Sequence, residues 1–308
     1  MMNTPPSISV VMPVYNGSKY LREAIDSVLI QDFSDFEFII VNDGSTDESE
    51  SIIFSYVDKR IKYIKQDNAG VGGALKTGCN VASGKYIARM DSDDICMPNR
   101  FYEQKFFLDK NPLFVLVGSA VININESGDY LSRSFPYTSN YILQKLVKNY
   151  SPICHPSVMM HRSAYNKSGG YEEFEPLEDI FMWVKLSNIG KLENLSIPLL
   201  KYRIVESSVS RSITYQQSNF LREYLFKIKN DQTFMEEKII TFKKMYQQIR
   251  NDAEMINKEE ITSTETEELL LSYENKTYKY LKQIRLPESI IENVICNIKK
   301  LYAILKYN

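Results

Sequence analysis

Three aspartates stand within four residues in "YIARMDSDD" (86–94): Asp91, Asp93 and Asp94. Carboxylates so close repel one another and hold their protons more tightly unless a cation sits among them. A solvated turn is one reading of such a run; a cation-binding turn is the other. Asp91 and Asp93 lie two apart, which in an extended segment points both side chains to one side. Two hard oxygen donors aimed at one point suit Mg²⁺ or Mn²⁺, with a diphosphate supplying further oxygens. Two earlier segments offer partners for such a ligand. In "MPVYNG", Pro13 is expected to turn the chain at a strand end, leaving Tyr15 either to stack on a flat base or to sit half-buried. In "VNDGSTD", Asp43 either accepts a hydrogen bond from a base or ribose, or opens an Asp-Gly turn with a helix cap at Ser45 or Thr46. The glycines of "DNAGVGGALKTG" (67–78) would let a phosphate approach a helix start. As a dinucleotide fingerprint that stretch fails at Leu75 and follows the wrong strand.

These residues need elements to hold them. The runs "ISVVMPV" (8–14), "FEFIIV" (36–41), "IKYIK" (61–65), "YIARM" (86–90) and "LFVLVGSAVI" (113–122) are short and rich in Val, Ile and Phe, and predict strands. Leu21, Ala24, Ile25, Val28 and Leu29 recur at helical spacing behind "NGS". "DESESIIFSYV" and "VGGALKTGCNVA" predict two more helices. Strand–helix alternation implies an α/β fold with a mostly parallel sheet flanked by helices, which binds ligands at the carboxyl ends of its strands. Base site, phosphate loop and acidic turn each follow a successive strand. That is the order a nucleotide-diphosphate donor needs.

Composition narrows the field. The chain has 308 residues, 44% of them hydrophobic, enough for one large domain with an appendage. A net charge of −2 gives no global field for nucleic acid. Cys79, Cys96, Cys154 and Cys296 show no paired spacing, which suits a reduced cytoplasmic chain and neither a disulfide framework nor a zinc site. The N-terminus does not read as a signal peptide, and no run reaches the roughly 18 apolar residues of a membrane span. From about residue 215 the texture becomes polar and helical. The sequence therefore predicts a domain over 1–214 and a helical region over 215–308. Within the latter, 252–274 holds eight acids and one lysine, and 276–308 seven Lys/Arg and two Glu. Ile290, Ile291, Val294, Ile295, Ile298, Leu301, Tyr302 and Leu305 form an apolar stripe there. It suits either a helix lying on an anionic membrane face beside a lipid-linked acceptor, or one packed on the domain or on a second subunit.

Seven segments in order, "VVMPVYNGSKYLREAIDSVLIQDF", "IIVNDGSTD", "GKYIARMDSDDICMPNR", "HPSVMMHRSAY", "GGYEE", "LEDIFMWVKL" and "YRIVESSVS", resemble family-2 glycosyltransferases, which are inverting, nucleotide-sugar-dependent enzymes of the GT-A fold. The resemblance runs from about Ile8 to Ser212. It implies that Pro13, Tyr15, Asp43, Asp91 and Ser92 hold a nucleotide-sugar donor, a UDP-sugar foremost, with Asp93 and Asp91 binding Mn²⁺ or Mg²⁺. Asp179 matches the general base, and Glu178 shapes the acceptor pocket. His155 and Trp183 are further candidates there; Trp183 is also readable as core. The implied reaction moves a sugar onto a glycan acceptor in the building of a bacterial cell-surface polysaccharide or lipooligosaccharide, by a hexosyl- or N-acetylhexosaminyltransferase. The departing diphosphate needs charge stabilisation and the acceptor hydroxyl needs a base, so no Ser-His or Cys-His nucleophile is required.

One position departs from the family. Where it often has "YR-x-H", this chain has Tyr202, Arg203, Ile204 and Val205, and valine cannot ligate. Arg203 either faces a phosphate in compensation or pairs with a carboxylate of the protein. Val205 is also the support for a rival reading, a nucleotide-sugar- or glycan-binding scaffold that has lost turnover. A dehydrogenase using Asp43 on a ribose is excluded, because no glycine fingerprint follows the first strand.

Overall fold

A computed structural model describes residues 5–147, 151–171 and 178–205. The predicted helical region 215–308, its apolar stripe and Cys296 lie outside the described residues. The strands are β1 Ile8–Val14, β2 Phe36–Asp43, β3 Ile61–Gln66, β4 Tyr86–Arg89, β5 Ile95–Cys96, β6 Phe114–Ile124, β7 Tyr130–Arg133, β8 Met159–His161 and β9 Lys191–Arg203. The helices are α1 Ser18–Leu29, α2 Ser49–Phe54, α3 Gly70–Val81, α4 Arg100–Lys110, α5 Asn140–Leu146, α6 Arg162–Lys167 and α7 Glu178–Ser187, with a 3₁₀ turn at His155–Ser157. No helix of the described residues is long and apolar enough to cross a membrane.

Side-chain alternation sorts each central strand between two cores. Ile8, Val10, Met12 and Val14 of β1, with Phe36, Phe38 and Ile40 of β2, pack on the face covered by α1, α2 and α4. Val11, Ile39, Val41 and Ile87 point the other way, toward α3, α6 and α7. Both faces being covered, β1 and β2 are buried along their whole length, as their unbroken apolar runs require. The apolar stripe Leu21, Ala24, Ile25 and Val28 is the buried face of α1. Helix α3 needs a glycine at 78, where an added Cβ would lie 2.5 Å from Val11 Cγ1. Its glycines thus serve close helix–sheet packing, with Gly72, Gly73 and Gly78 buried inside the helix rather than in an open loop.

The strand order is β3-β2-β1-β4-β8-β6-β9-β5, with β7 on β6. The expected parallel order holds from β3 to β4. Beyond β4 the sheet is mixed, with β8 antiparallel to both β4 and β6, and β6 parallel to β9. Pro13 does not turn the chain. It stays inside β1, buried and registered with Val41. Val11 O accepts from Met90 N of the segment after β4, so by alternation Pro13 faces the same side. Pairing with β4 ends at Val11, which leaves the missing N–H without consequence.

Candidate active site

The carboxyl ends of β1 and β2 are tied together by their own loops. Asn16 N and Gly17 N donate to Ser45 Oγ and Ser49 Oγ, each at 3.0 Å, and Ser18 N donates to Asp47 Oδ2 at 2.9 Å. In return Asn16 Oδ1 accepts from Thr46 N at 2.8 Å. Against the opposing effect of burial, hydrogen bonds from Ser49 and Ser18 hold the Asp47 carboxyl down at about 2. Ser45 and Thr46 therefore lace two loops instead of capping α2, which starts later, at Ser49. The lacing leaves Tyr15 53% exposed at the strand edge, a free aromatic face. Asp43 is buried, and its Oδ1 accepts from Gln66 Nε2 at 2.6 Å and Ala69 N at 2.9 Å, anchoring the entry to α3.

The acidic run follows β4, which stops at Arg89, so Asp91 to Asp94 form a turn and not the expected extended segment. The turn gathers three carboxylates rather than two: Asp91, Asp93 and Asp94 offer oxygens within 4.8 Å of one another. Ser92 lies on it against Gly17, whose added Cβ would meet Ser92 Oγ at 3.0 Å, so the first loop and the acidic turn are neighbours. The three acids differ in role. Asp91 is clasped by the buried Arg89, Nη1 to Oδ2 at 2.7 Å and Nη2 to Oδ1 at 2.6 Å. Asp94 is buried; its Oδ1 accepts from Arg203 N at 2.8 Å, while Oδ2 has no partner. Asp93 is partly buried. Burial, then the charge of Asp91, raises the Asp93 carboxyl to about 6, and burial with both neighbouring charges raises Asp94 well above the carboxylate range. A cluster of hard oxygens with raised proton affinity and an orphaned buried oxygen is matched to a small divalent cation. Asp93 and Asp94 have the free capacity; Asp91 is engaged by Arg89.

Arg203 corrects an expectation. Its guanidinium does not face a phosphate. Nε donates to Asp93 O at 2.8 Å, Nη1 to Glu126 O at 3.0 Å and Asn125 O at 3.3 Å, and Nη2 pairs with Glu23. The group lies 4.4 Å from the centre of the Tyr20 ring and is buried. It pins the acidic turn to the β6–β7 turn, an alternative already open at the sequence level, with Glu23 as the carboxylate. Val205, two residues on, is partly buried. Neither histidine belongs to the acidic cluster; Asp94 supplies the third oxygen donor there.

Glu178 and Asp179 open α7, where the helix N-terminus favours carboxylates. Asp179 Oδ1 accepts from Ile180 N at 2.7 Å, and burial followed by the Glu178 charge raises its proton affinity. Burial pushes Glu178 up to about 7. His155 stands behind Glu178, Nδ1 to Oε1 at 3.4 Å, with Nε2 2.8 Å from Tyr171 Oη. Burial and the charge of Arg89 bring His155 down to about 3, so it is a neutral hydrogen-bonding group. Trp183 is a second correction: it is 0% exposed, edge-on to His155 at 5.4 Å, and cannot floor a sugar. Glu178 and the acidic turn feel one buried cation, since Arg89 is within electrostatic reach of Asp91, Asp94 and Glu178. Sequence reasoning missed Arg89, Tyr171 and the ligating capacity of Asp94. The signal for Arg89 was in plain view, a basic residue two positions before an acidic run.

The family model for glycosyl transferase family 2 matches residues 9–169. The putative glycosyltransferase EpsE of Bacillus subtilis is 31% identical over 233 residues, covering 72% of this chain and 82% of EpsE. An uncharacterized glycosyltransferase of Rickettsia bellii is 36% identical over 200 residues, 64% of this chain but only 29% of that relative's length. Among solved structures, S. aureus TarS 1–349 in complex with UDP-GlcNAc superposes with a TM-score of 0.60 at 20% identity, covering 71% of this chain and 66% of that one. The TarS 1–349 complex with UDP gives 0.57 at 19%.

Proposed function

Because the chain belongs to glycosyl transferase family 2 and has its GT-A fold, we propose that it is an inverting glycosyltransferase acting on a nucleotide-diphosphate sugar, with UDP-sugars the first candidates. The observation that carries this reading is the acidic turn, where Asp91, Asp93 and Asp94 offer oxygens within 4.8 Å of one another at the end of β4. Tyr15, at the edge of β1, offers a face for the base, and Asp43 lies at the next strand end. Asp93 and Asp94 would hold Mn²⁺ or Mg²⁺, whose charge offsets that of the departing diphosphate. Asp179 takes the proton of the acceptor hydroxyl as that oxygen attacks the anomeric carbon from the face opposite the leaving diphosphate. Glu178 borders the acceptor.

The acceptor we infer is a glycan under construction for a cell-surface polysaccharide or lipooligosaccharide. The scaffold alternative rests on Val205 alone. The test is a panel of UDP-sugars incubated with the full chain and Mn²⁺ or Mg²⁺, scored by released UDP. Release from one donor, abolished by EDTA, is expected. Absence of calorimetric binding by UDP and every UDP-sugar sinks the reading.

A further inference from the structure

Two turns of the chain converge on Glu178, and each is held rigidly. Gly169 and Gly170 take φ of +83° and +74°, and an added Cβ at 170 would lie 2.7 Å from Tyr165 Oη. Tyr165 Oη also accepts from Tyr171 N at 3.3 Å, and Lys185 Nζ of α7 donates to Gly170 O at 2.9 Å. This turn delivers the Tyr171 side chain into the core beside α7. In the 3₁₀ turn, Ser157 Oγ donates to Cys154 O and Gln104 Nε2 to Ser157 O, each at 2.7 Å. The buried His155 ring of that turn packs on Tyr171 at 5.7 Å between centroids and edge-on to Trp183. Trp183 is itself fixed, its indole N–H donating to Ser151 Oγ at 2.9 Å.

The surroundings of the imidazole assign its proton. Tyr171 Oη lies 2.8 Å from Nε2 and, among the described residues, meets no other acceptor. A protonated Nε2 would donate to the phenol and leave the buried phenolic hydrogen without a partner. The phenol therefore donates to Nε2. The ring, which burial and the charge of Arg89 keep neutral, carries its one proton on Nδ1. Nδ1 faces Glu178 Oε1 at 3.4 Å. That is long for a hydrogen bond, and catalytic contacts are often long until substrate tightens them. We propose that Tyr171 and His155 are positioning residues for Glu178: the phenol fixes the Nδ1–H tautomer, and that N–H aims Oε1, leaving the other lone pairs of the carboxylate for an acceptor hydroxyl. A neutral donor gives the carboxylate a direction without cancelling its charge, and no proton leaves the imidazole. The role in turnover rests on the transferase reading, in which Glu178 borders the acceptor.

The wild-type protein tests the tautomer directly. The chain has two histidines, so a long-range ¹H–¹⁵N spectrum of the full-length, histidine-labelled protein carries two imidazole patterns, told apart in His161→Gln. At pH 7 His155 is expected in the Nδ1–H form. In Tyr171→Phe the ring should lose that preference. The kcat for UDP release should fall there by about 10–100-fold, as when a partner that fixes a histidine tautomer is removed elsewhere, with the donor KM unchanged. An Nε2–H ring in the wild-type protein overturns the proposal, and that measurement needs no variant to fold. Wild-type kcat in Tyr171→Phe overturns it too, as does a loss confined to the donor KM. An Nε2–H ring in a protein that releases UDP removes the positioning array and leaves the transferase reading standing. A wild-type protein that binds no UDP-sugar sinks that reading and takes the array's part in turnover with it.

Discussion

The two ends of the parallel strands treat a carboxylate in opposite ways. At the amino end, Glu37 is buried on β2, and its Oε1 accepts from Ser9 Oγ at 2.5 Å, Ser83 N at 2.7 Å and Ser83 Oγ at 2.8 Å. Lys62 Nζ lies 2.5 Å from Oε2. Although burial alone would raise it, these partners bring the Glu37 carboxyl down to about 2. At the carboxyl end both Asp93 and Asp94 are raised by burial first, then Asp93 by the charge of Asp91 and Asp94 by those of Asp93 and Asp91. A satisfied carboxylate ties strands together. A crowded, undersupplied one waits for a charge from outside the protein. The contrast separates a structural acid from a ligand-binding one without reference to where either lies in the fold.

The largest effects should come from the unsatisfied end, and in activity. Asp179→Asn keeps the shape of the side chain but cannot accept the acceptor's proton, so turnover should fall on the order of 10²–10⁴-fold with donor affinity nearly unchanged. Asp93→Ala should abolish Mn²⁺-dependent donor binding, read by calorimetry with UDP, while the circular dichroism spectrum stays native. Collapse of donor binding in Asp179→Asn, or wild-type transfer by Asp93→Ala, would erase the distinction between the ends.

The next effects are in stability, and they carry opposite signs. Glu37→Gln cannot satisfy three donors and a lysine, and leaves Ser9 and Ser83 short of an acceptor; urea denaturation at pH 7 should show a loss of about 2–4 kcal/mol. Asp94→Asn removes one of three crowded charges. In metal-free buffer it should leave stability unchanged or raise it by about 1 kcal/mol, with Mn²⁺ affinity reduced. A destabilised Asp94→Asn would mean that the carboxylate's stronger acceptance from Arg203 N outweighs the repulsion, since the amide Oδ1 can still accept that bond but without the charge.

How much of this could be read from the sequence follows the same division. The strands β1 to β4 and helices α1 and α3 were legible because unbroken apolar runs and a 3.6-residue stripe are local patterns. The acidic turn was legible as a cluster, since "MDSDD" is contiguous. Its geometry was not. Whether Asp94 joins Asp93 depends on β4 stopping at Arg89, and whether Arg203 is free depends on Glu23 and on carbonyls 77 to 110 residues away in the chain. Ser151 and Tyr171 carry no sequence signal at all; they are found only when α7 is packed. The mixed half of the sheet was equally hidden, because the three-residue β8 is too short to show a period.

The last prediction is the smallest and uses pH to read both ends in one experiment. Glu37 is depressed when folded, so its contribution to stability is present above the unfolded carboxylate value, near 4.3, and is lost as pH falls through about 2. Asp93 is raised, so the sign reverses. Between the unfolded value near 3.9 and the folded value of about 6 the native chain binds more protons than the unfolded one, and stability declines as pH rises through that window. Metal-free protein should therefore melt at a slightly higher temperature near pH 5 than near pH 7, before the loss of Glu37 and its like takes over at lower pH. Added Mn²⁺ should raise the melting temperature more at pH 7 than at pH 5, because at pH 5 it must first displace the proton of Asp93. In Asp93→Asn the rise between pH 7 and pH 5 should shrink, while the acid limb set by Glu37 stays in place. If that limb moves as well, the two ends are coupled through the sheet. If Mn²⁺ protects equally at both pH values, Asp93 is not a ligand, and the carboxyl end is structural like the amino end.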